Sequence, residues 1–341
     1  MGFLGVTVPE EYGGADLDAT AACIIHEELS AVDPAYTLSY LAHSMLFVNN
    51  LARNGTREQK RKYLPKACSG EWLCGMAMSE PDYGTDVLGM ATTAKRNARG
   101  GWTLKGRKFW ITNGCSDDRG TPGDAFLVYA KTGGAKDVSL FLVDGSRLTS
   151  ASRIKDKLGM RCSPTAELVL DDVEVPADAL VGEEHKAVVC MMRNLEIERV
   201  TLAAMATGLA ERSLRVMNRY ATDRVAFNKP IREFGQIQKH LADSYASWRA
   251  ARSYLYDVAR VMKLDEQGQR LDTDGVKLVC TTTAKNVADS AIQVLGGAGY
   301  VADFPVERLW RDAKLLEIGG GTLEAHQKNM MREMTASQRF M

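Results

Sequence analysis

Apolar positions recur at helical spacing from about residue 16 to 74, alternate in short runs to about 180, and return to helical spacing from about 186 to the end. In the first stretch, "ATAACIIHEELSAVD" ends on Asp33 and Pro34, which supply the cap and first turn of "PAYTLSYLAHSMLFVNNLARNG". Thr56 and Gln59 then stand at capping-box spacing. The middle runs "WTLKGRKFWITNG", "DAFLVYAKT", "VSLFLVDG" and "AELVLDDVEV" are separated by Gly, Asp and Pro turns with no helix between them. They predict a small antiparallel barrel or sandwich and not a set of βαβ units. The last third predicts long amphipathic helices over 187–221, 232–263 and 274–295, then shorter ones, which imply an antiparallel bundle. The pattern thus gives a mainly α chain with a β middle: a helical domain over 1–74, a β-domain over 75–185 and a helical bundle over 186–341.

Composition narrows the function classes. Lys plus Arg and Asp plus Glu both total 43 of 341 residues, so no net charge draws the chain to nucleic acid or to an anionic membrane. No apolar run reaches the roughly 18 to 20 residues needed to cross a bilayer, and the opening "MGFLGVTVPEEYGG" lacks signal-peptide regions. Seven cysteines without C-x-x-C spacing and five histidines without H-x-x-x-H predict reduced thiols, a reducing compartment and no metal site.

Five stretches carry candidate chemistry. "MAMSEPDYGTDV" (76–87) gathers Ser79, Gly84 and Thr85 with amides that Pro81 and Gly84 free, suited to a polar ring or a phosphate; an ordinary turn has the same composition. In "GRKFWITNG" (106–114), alternation puts Trp110 and Thr112 on one strand face, so an indole and a hydroxyl can meet an aromatic ring and its edge; a buried tryptophan is the common alternative. "QVLGGAGY" (293–300) and "GGGT" (319–322) are glycine breaks that follow helices, unlike the strand-to-helix glycines of nucleotide-binding folds, and each also reads as a helix C-cap. In "NLEIERV" (194–200), Glu196 and Glu198 point about 200° apart on an ideal helix, so one is expected inside as a candidate base and the other in solvent.

Together, "AMSEPDYGTDV", "GRKFWITNG", "DKLGMRCSPTAELVLDDVEVP", "DRVAF" and "IQVLGGAGYVADFPVERLWRDAKLLEIGGGT" resemble the acyl-CoA dehydrogenase family in order and spacing over essentially the whole chain. The resemblance implies N-terminal helices, a middle β-domain and a C-terminal four-helix bundle, an FAD-dependent enzyme acting on an acyl-CoA, a homo-oligomer of tetrameric type, and electron-transfer flavoprotein as electron acceptor. It implies the mitochondrial matrix in a eukaryote and the cytoplasm in a bacterium. Met76, Met78, Ser79, Gly84, Thr85, Trp110 and Thr112 match positions holding the flavin and its ribityl chain. Arg224, Phe227, Gln293 and Gly297 match positions reaching a neighbouring subunit's FAD, and Thr322 and Glu324 match adenine-dinucleotide contacts. Thr85, Arg199, Gly319, Gly320 and Gly321 match the substrate side.

Most family members carry a catalytic glutamate at the position of Gly320. The branch acting on isovaleryl-CoA lacks it and is similar in taking its base from the first long bundle helix, where Glu198 precedes Arg199. The resemblance therefore implies Glu198 as base, Gly320 as amide donor to the thioester oxygen, room at Gly319 and Gly320 for a branch methyl, and Glu196 in solvent. Three features depart from the family pattern: Gly235 replaces a usual glutamine, for which Gln236 or Gln238 can substitute; "CSDDRGTPGD" (115–124) reads as an insertion; and about two further helices are expected before this start. The alternatives are another short-chain or branched-chain member of the family, and a non-catalytic member serving binding or assembly, against which Glu198 argues.

Overall fold

The computed structural model describes residues 2–266 and 268–336, so the last five positions of the expected bundle lie outside the described residues. Capping sets the first helices. Asp18 accepts from the Ala21 amide to start α1 (Ala19–Val32), and Asp33 accepts from Ala35 and Tyr36 to start α2 (Pro34–Leu41). From Ala42 to Asn49 the chain widens into a π-helix before closing as α3 (Asn50–Asn54). Such widened turns concentrate at functional sites, and this one packs against the first strand. A reciprocal capping box, Thr56 with Gln59, opens α4 (Arg57–Ser69).

The middle of the chain forms one open, mixed eight-stranded sheet. Its strands are β1 (Cys74–Ala77), β2 (Thr93–Arg96), β3 (Trp102–Thr112), β4 (Ala125–Lys131), β5 (Val138–Asp144), β6 (Ser150–Arg153), β7 (Thr165–Val175) and β8 (Leu180–Val181). They run in the order β6-β7-β3-β2-β4-β5-β8, with β1 parallel beside β4. The expected antiparallel barrel or sandwich is corrected in detail: the sheet does not close into a barrel, and β1 and β2 both pair with β4 in parallel. Both faces of β4 and β5 are buried: Leu127, Tyr129, Leu140 and Leu142 pack with helical residues such as Phe47 and Leu64, and Phe126, Val128, Phe141 and Val143 cluster with Leu104 of β3 and Leu168 of β7.

The third region is a helical bundle of α5 (Ala187–Asp223), α6 (Gly235–Val261), α7 (Arg270–Leu295), the single turn α8 (Gly297–Tyr300), α9 (Val306–Leu316) and α10 (Leu323–Ala336). Helix α5 is its axis: α7, α6 and α1 all pack on it. Small residues allow that crowding. A Cβ at Gly208 would lie 2.0 Å from the Glu27 carbonyl oxygen, so glycine is what lets α1 cross α5 so closely. Beside the crossing, buried Glu27 takes a two-pronged bond from Arg252 and a third from Tyr256.

Candidate active site

The turn after α9 and the middle of α5 meet at one point. Ile318 and Gly319 donate their amides to the Leu315 carbonyl, which ends the helix, and Gly320 and Gly321 then take positive φ angles of 67° and 102°. A Cβ placed on Gly320 would stand 3.3 Å from Glu198 Oε1 and 2.3 Å from Leu202 Cδ1, both one turn apart on α5. A carboxylate from position 198 thus occupies the space that a side chain at 320 would enter.

Glu198 is 6% exposed, and its Oε2 has no hydrogen-bond partner among the described residues. Burial pushes its pKa up to about 7, with the positive charges of Arg199 and Lys277 pulling the other way. An unpartnered buried carboxylate oxygen poised near neutrality can take a proton from a ligand. Below it lies a closed ionic cluster. Arg199 Nε stands 3.0 Å from Asp274 Oδ1, and His326 Nδ1 stands 2.6 Å from the same oxygen. Lys277 Nζ donates to the Gly321 carbonyl at 2.5 Å, and burial lowers its pKa to about 8. His326 Nε2 lies 3.0 Å from that carbonyl as well.

Glu196 corrects the helix-face expectation. It is 4% exposed, not solvated, and accepts long 3.4 Å bonds from the Gly268 and Gln269 amides. Two faces about 200° apart are both buried here because α5 is enclosed on several sides, a tertiary fact that the helical period does not carry.

The sheet supplies a second group. Phe109 donates its amide to the Ser79 carbonyl, and Asn113 reaches the Cys74 carbonyl, so residues 74–79 lie along 109–113. Met76, Met78 and Ser79 therefore neighbour Trp110 and Thr112. The β3–β7 register slips between Lys108 and Ile111, and Trp110 takes φ 59°, so a bulge aims the indole outward and leaves it 52% exposed. Plain alternation does not predict that. A Cβ on Gly84 would meet nothing within 4 Å, and Thr85 is exposed beside it. Behind this surface, Lys108 is wholly buried and bonds the Met78 carbonyl and Glu80, which in turn accepts from the Ala91 and Thr92 amides. Asn50 links the two groups, reaching Met76 Sδ and the Tyr129 hydroxyl, whose ionisation is opposed by burial and also by the charge of Glu198. An exposed indole, free hydroxyls and an open glycine edge fit the flat, polar-rimmed ring of a flavin.

A third group is remote. Arg224, Phe227, Gln236 and Gly297 line an open groove of about 680 Å³ at the far end of α5. Phe227 and Asn228 form the two-residue turn of a hairpin, β9 (Val225–Ala226) and β10 (Lys229–Pro230), with φ 52° and 63°. Phe227 is 89% exposed in that uncommon conformation. Gln293 is exposed on the last turn of α7, near but not lining the groove. A Cβ on Gly235 would meet nothing within 4 Å, and Gln236 lines the groove in its stead.

Three family domains match in chain order: acyl-CoA dehydrogenase N-terminal domain over 1–71, middle domain over 75–173 and C-terminal domain over 188–335. The mitochondrial isovaleryl-CoA dehydrogenase of Solanum tuberosum is 43% identical over 98% of this chain and 80% of its own length. The chain belongs to the acyl-CoA dehydrogenase family. A mitochondrial 2-methylacyl-CoA dehydrogenase of the same plant is 40% identical, over 98% of this chain and 80% of its own length. The acyl-CoA dehydrogenase of Bacillus anthracis, solved in complex with FAD, superposes with a TM-score of 0.90 at 30% identity, over 99% of this chain and 60% of its own. This acyl-CoA dehydrogenase is an FAD enzyme.

Within it, Thr322 Oγ1 accepts from the Ala325 amide and caps α10, and Glu324 is exposed on the first turn of that helix. Asp274, Lys277, His326 and the Lys108–Glu80 pair were not singled out from the sequence. Their signal was faint but present: a lysine in the apolar run "GVKLVC", and a lysine at an inward position of β3. Among the described residues no group of three or more His, Cys, Asp or Glu side chains is arranged to hold a metal ion.

Proposed function

We propose that this enzyme oxidises isovaleryl-CoA to 3-methylcrotonyl-CoA, a step of leucine breakdown, and delivers the electrons to electron-transfer flavoprotein. The observation that carries the reading is the shared space between Glu198 and the side chain that Gly320 lacks. Glu198 removes the α-proton of the thioester, and the β-hydrogen leaves with its electron pair as the carbon–carbon double bond forms. Bound FAD supplies the hydride acceptor; Met76, Met78, Ser79, Gly84, Thr85, Trp110 and Thr112 would hold its ring and ribityl chain, and Thr322 and Glu324 its dinucleotide end. The α-carbon is a weak acid, so the reaction needs help where charge develops. No hydrogen bond among the described residues engages the Gly320 amide, which is free to donate to the thioester oxygen.

Specificity rests on the same turn. Gly319 has only ordinary van der Waals neighbours for a Cβ, the nearest 3.5 Å away, so its missing side chain leaves room beside the acyl group. One methyl in an apolar pocket is worth about 1 to 3 kcal/mol, so isovaleryl-CoA should exceed butyryl-CoA in kcat/KM by tens of fold. Gly319→Tyr should reverse that order. The 2-methylacyl relative makes an α-branched thioester the second reading. Anaerobic titration of the FAD-loaded enzyme with isovaleryl-, 2-methylbutyryl-, butyryl- and long-chain acyl-CoA, followed by steady-state kinetics, decides between them. A wild type that prefers a straight chain removes the isovaleryl assignment and leaves the family chemistry in place.

We assign the enzyme to a homotetramer in which Arg224, Phe227, Gln293 and Gly297 reach a neighbour's FAD, and to the mitochondrial matrix if its source is eukaryotic. No described helix is long and apolar enough to cross a membrane.

A further inference from the structure

The carbonyl of Gly321 is held from below by two buried side chains. Lys277 Nζ and His326 Nε2 both converge on it, at 2.5 and 3.0 Å, and the imidazole packs so close that a Cβ on Gly321 would stand 3.0 Å from Nε2. His326 is 1% exposed, and its other nitrogen lies 2.6 Å from Asp274 Oδ1, itself fully buried and paired with Arg199. This places one histidine between a fixed anion and the peptide that follows Gly320. Glycine at 319, 320 and 321 leaves that turn with no side chain of its own to fix its orientation.

We propose that His326 is the positioning residue that orients the Gly320 amide, by tethering the Gly321 carbonyl to the Asp274–Arg199 pair. The inference rests on the reading of Gly320 as the donor to the thioester oxygen.

The protons follow from the contacts. Both nitrogens of His326 face acceptors, so the His326–Asp274 pair must carry two protons: one between Nδ1 and Oδ1, and one donated from Nε2 to the Gly321 carbonyl. Burial holds the imidazole's pKa below its ordinary value, with the hydrogen bond to Asp274 opposing that shift and the charges of Lys277 and Arg199 adding to it. The geometry decides in favour of the second proton. A bare nitrogen lone pair 3.0 Å from a carbonyl oxygen would be a repulsion that no water in this buried site could relieve. The outcome is a rigid donor. The soft torsions of two glycines separate the Gly321 carbonyl from the Gly320 nitrogen, so fixing that carbonyl narrows the orientations open to the Gly320 amide, and a donor that is aimed before the reaction lowers the barrier without tightening the ground state.

Two substitutions separate the contacts of the ring. His326→Gln places an amide nitrogen near the position of Nε2 and retains a donor to Gly321, whereas His326→Asn places one near Nδ1 and retains only the contact with Asp274. Steady-state kinetics with isovaleryl-CoA should give His326→Gln within about threefold of wild-type kcat. His326→Asn should lose at least about tenfold in kcat while KM stays within about threefold, a part of the 100- to 1,000-fold cost of removing an oxyanion donor outright. As a second measurement, a 3-thiaacyl-CoA has an acidified α-proton and cannot lose hydride, so the pH at which it ionises on the enzyme reads oxyanion stabilisation without turnover. That pH should rise for His326→Asn and stay put for His326→Gln.

Equal activities for the two variants, or an asparagine variant that outperforms the glutamine one, would overturn the tether. Glu198→Gln is measured in parallel. If it still transfers hydrogen from isovaleryl-CoA, the reading of the site fails; if it is inert while both His326 variants match wild type, only the tether fails.

Discussion

A carboxylic acid that is buried with one oxygen unpartnered holds its proton to higher pH than one in water, and Glu198 titrates near 7 for that reason. A base must be ionised to act, so kcat/KM, which reports the free enzyme, should climb with pH through about 7 and flatten above it. Lys277 opposes the shift, and Lys277→Met should move the rising limb to higher pH in a rapid-reaction pH profile. An unchanged limb would show that another group is being read. Glu198→Gln should keep the fold and the bound FAD but abolish bleaching by isovaleryl-CoA. Glu196→Gln should bleach nearly as wild type, because its contacts are two amides of the chain before α7 and not the Gly320 turn. It should lose roughly 1 kcal/mol in denaturant unfolding, since a buried acceptor becomes a weaker one.

At the scale of elements, the turn after α9 explains why the base can come from either of two positions but not equally well from both. The double variant Glu198→Thr/Gly320→Glu sends a carboxylate into the same space from the other side. Position 320 has φ 67°, which costs a non-glycine residue about 1 kcal/mol or more, and its Cβ would press on Leu202. Kinetics on butyryl-CoA should therefore show partial recovery relative to Glu198→Thr, increased by adding Leu202→Ala; recovery without the leucine change to wild-type rates would contradict the steric reading. Elements of this kind were largely legible in the sequence. Asp33–Pro34, Thr56–Gln59 and the helical periods marked the helices because caps and spacing act within a few residues. The π-helix at Ala42–Asn49, the bulge at Trp110 and the open sheet were not, since each depends on what packs alongside. Glu198 came from its place before Arg199 in a family pattern, whereas Lys277 and His326, which bond the Gly321 carbonyl of the turn beside it, are 79 and 128 residues away in the chain and come together only in the fold.

The whole molecule separates its candidate groups by length. Arg224 caps the C-terminal end of α5, 26 residues beyond Glu198, which at 1.5 Å per residue is about 39 Å along the helix. One dinucleotide does not span from the turn at Gly320 to that groove within one subunit, so under the proposed assignment any FAD that reaches the groove belongs to a second copy of the chain. Phe227 is the sharpest sign of it. The turn geometry at 227 and 228 favours Asn-Gly, and an exposed phenylalanine held at φ 52° persists where an exposed function maintains it. Phe227→Asn should therefore leave the protein at least as stable in thermal unfolding while weakening FAD retention, and Arg224→Ala should weaken it without the gain. Size exclusion with light scattering should find FAD only on multimers, and dilution to the monomer should release it as mass action shifts both equilibria together. A monomer that keeps its FAD would detach the groove from the cofactor, and full FAD occupancy in both variants would detach Arg224 and Phe227 from it.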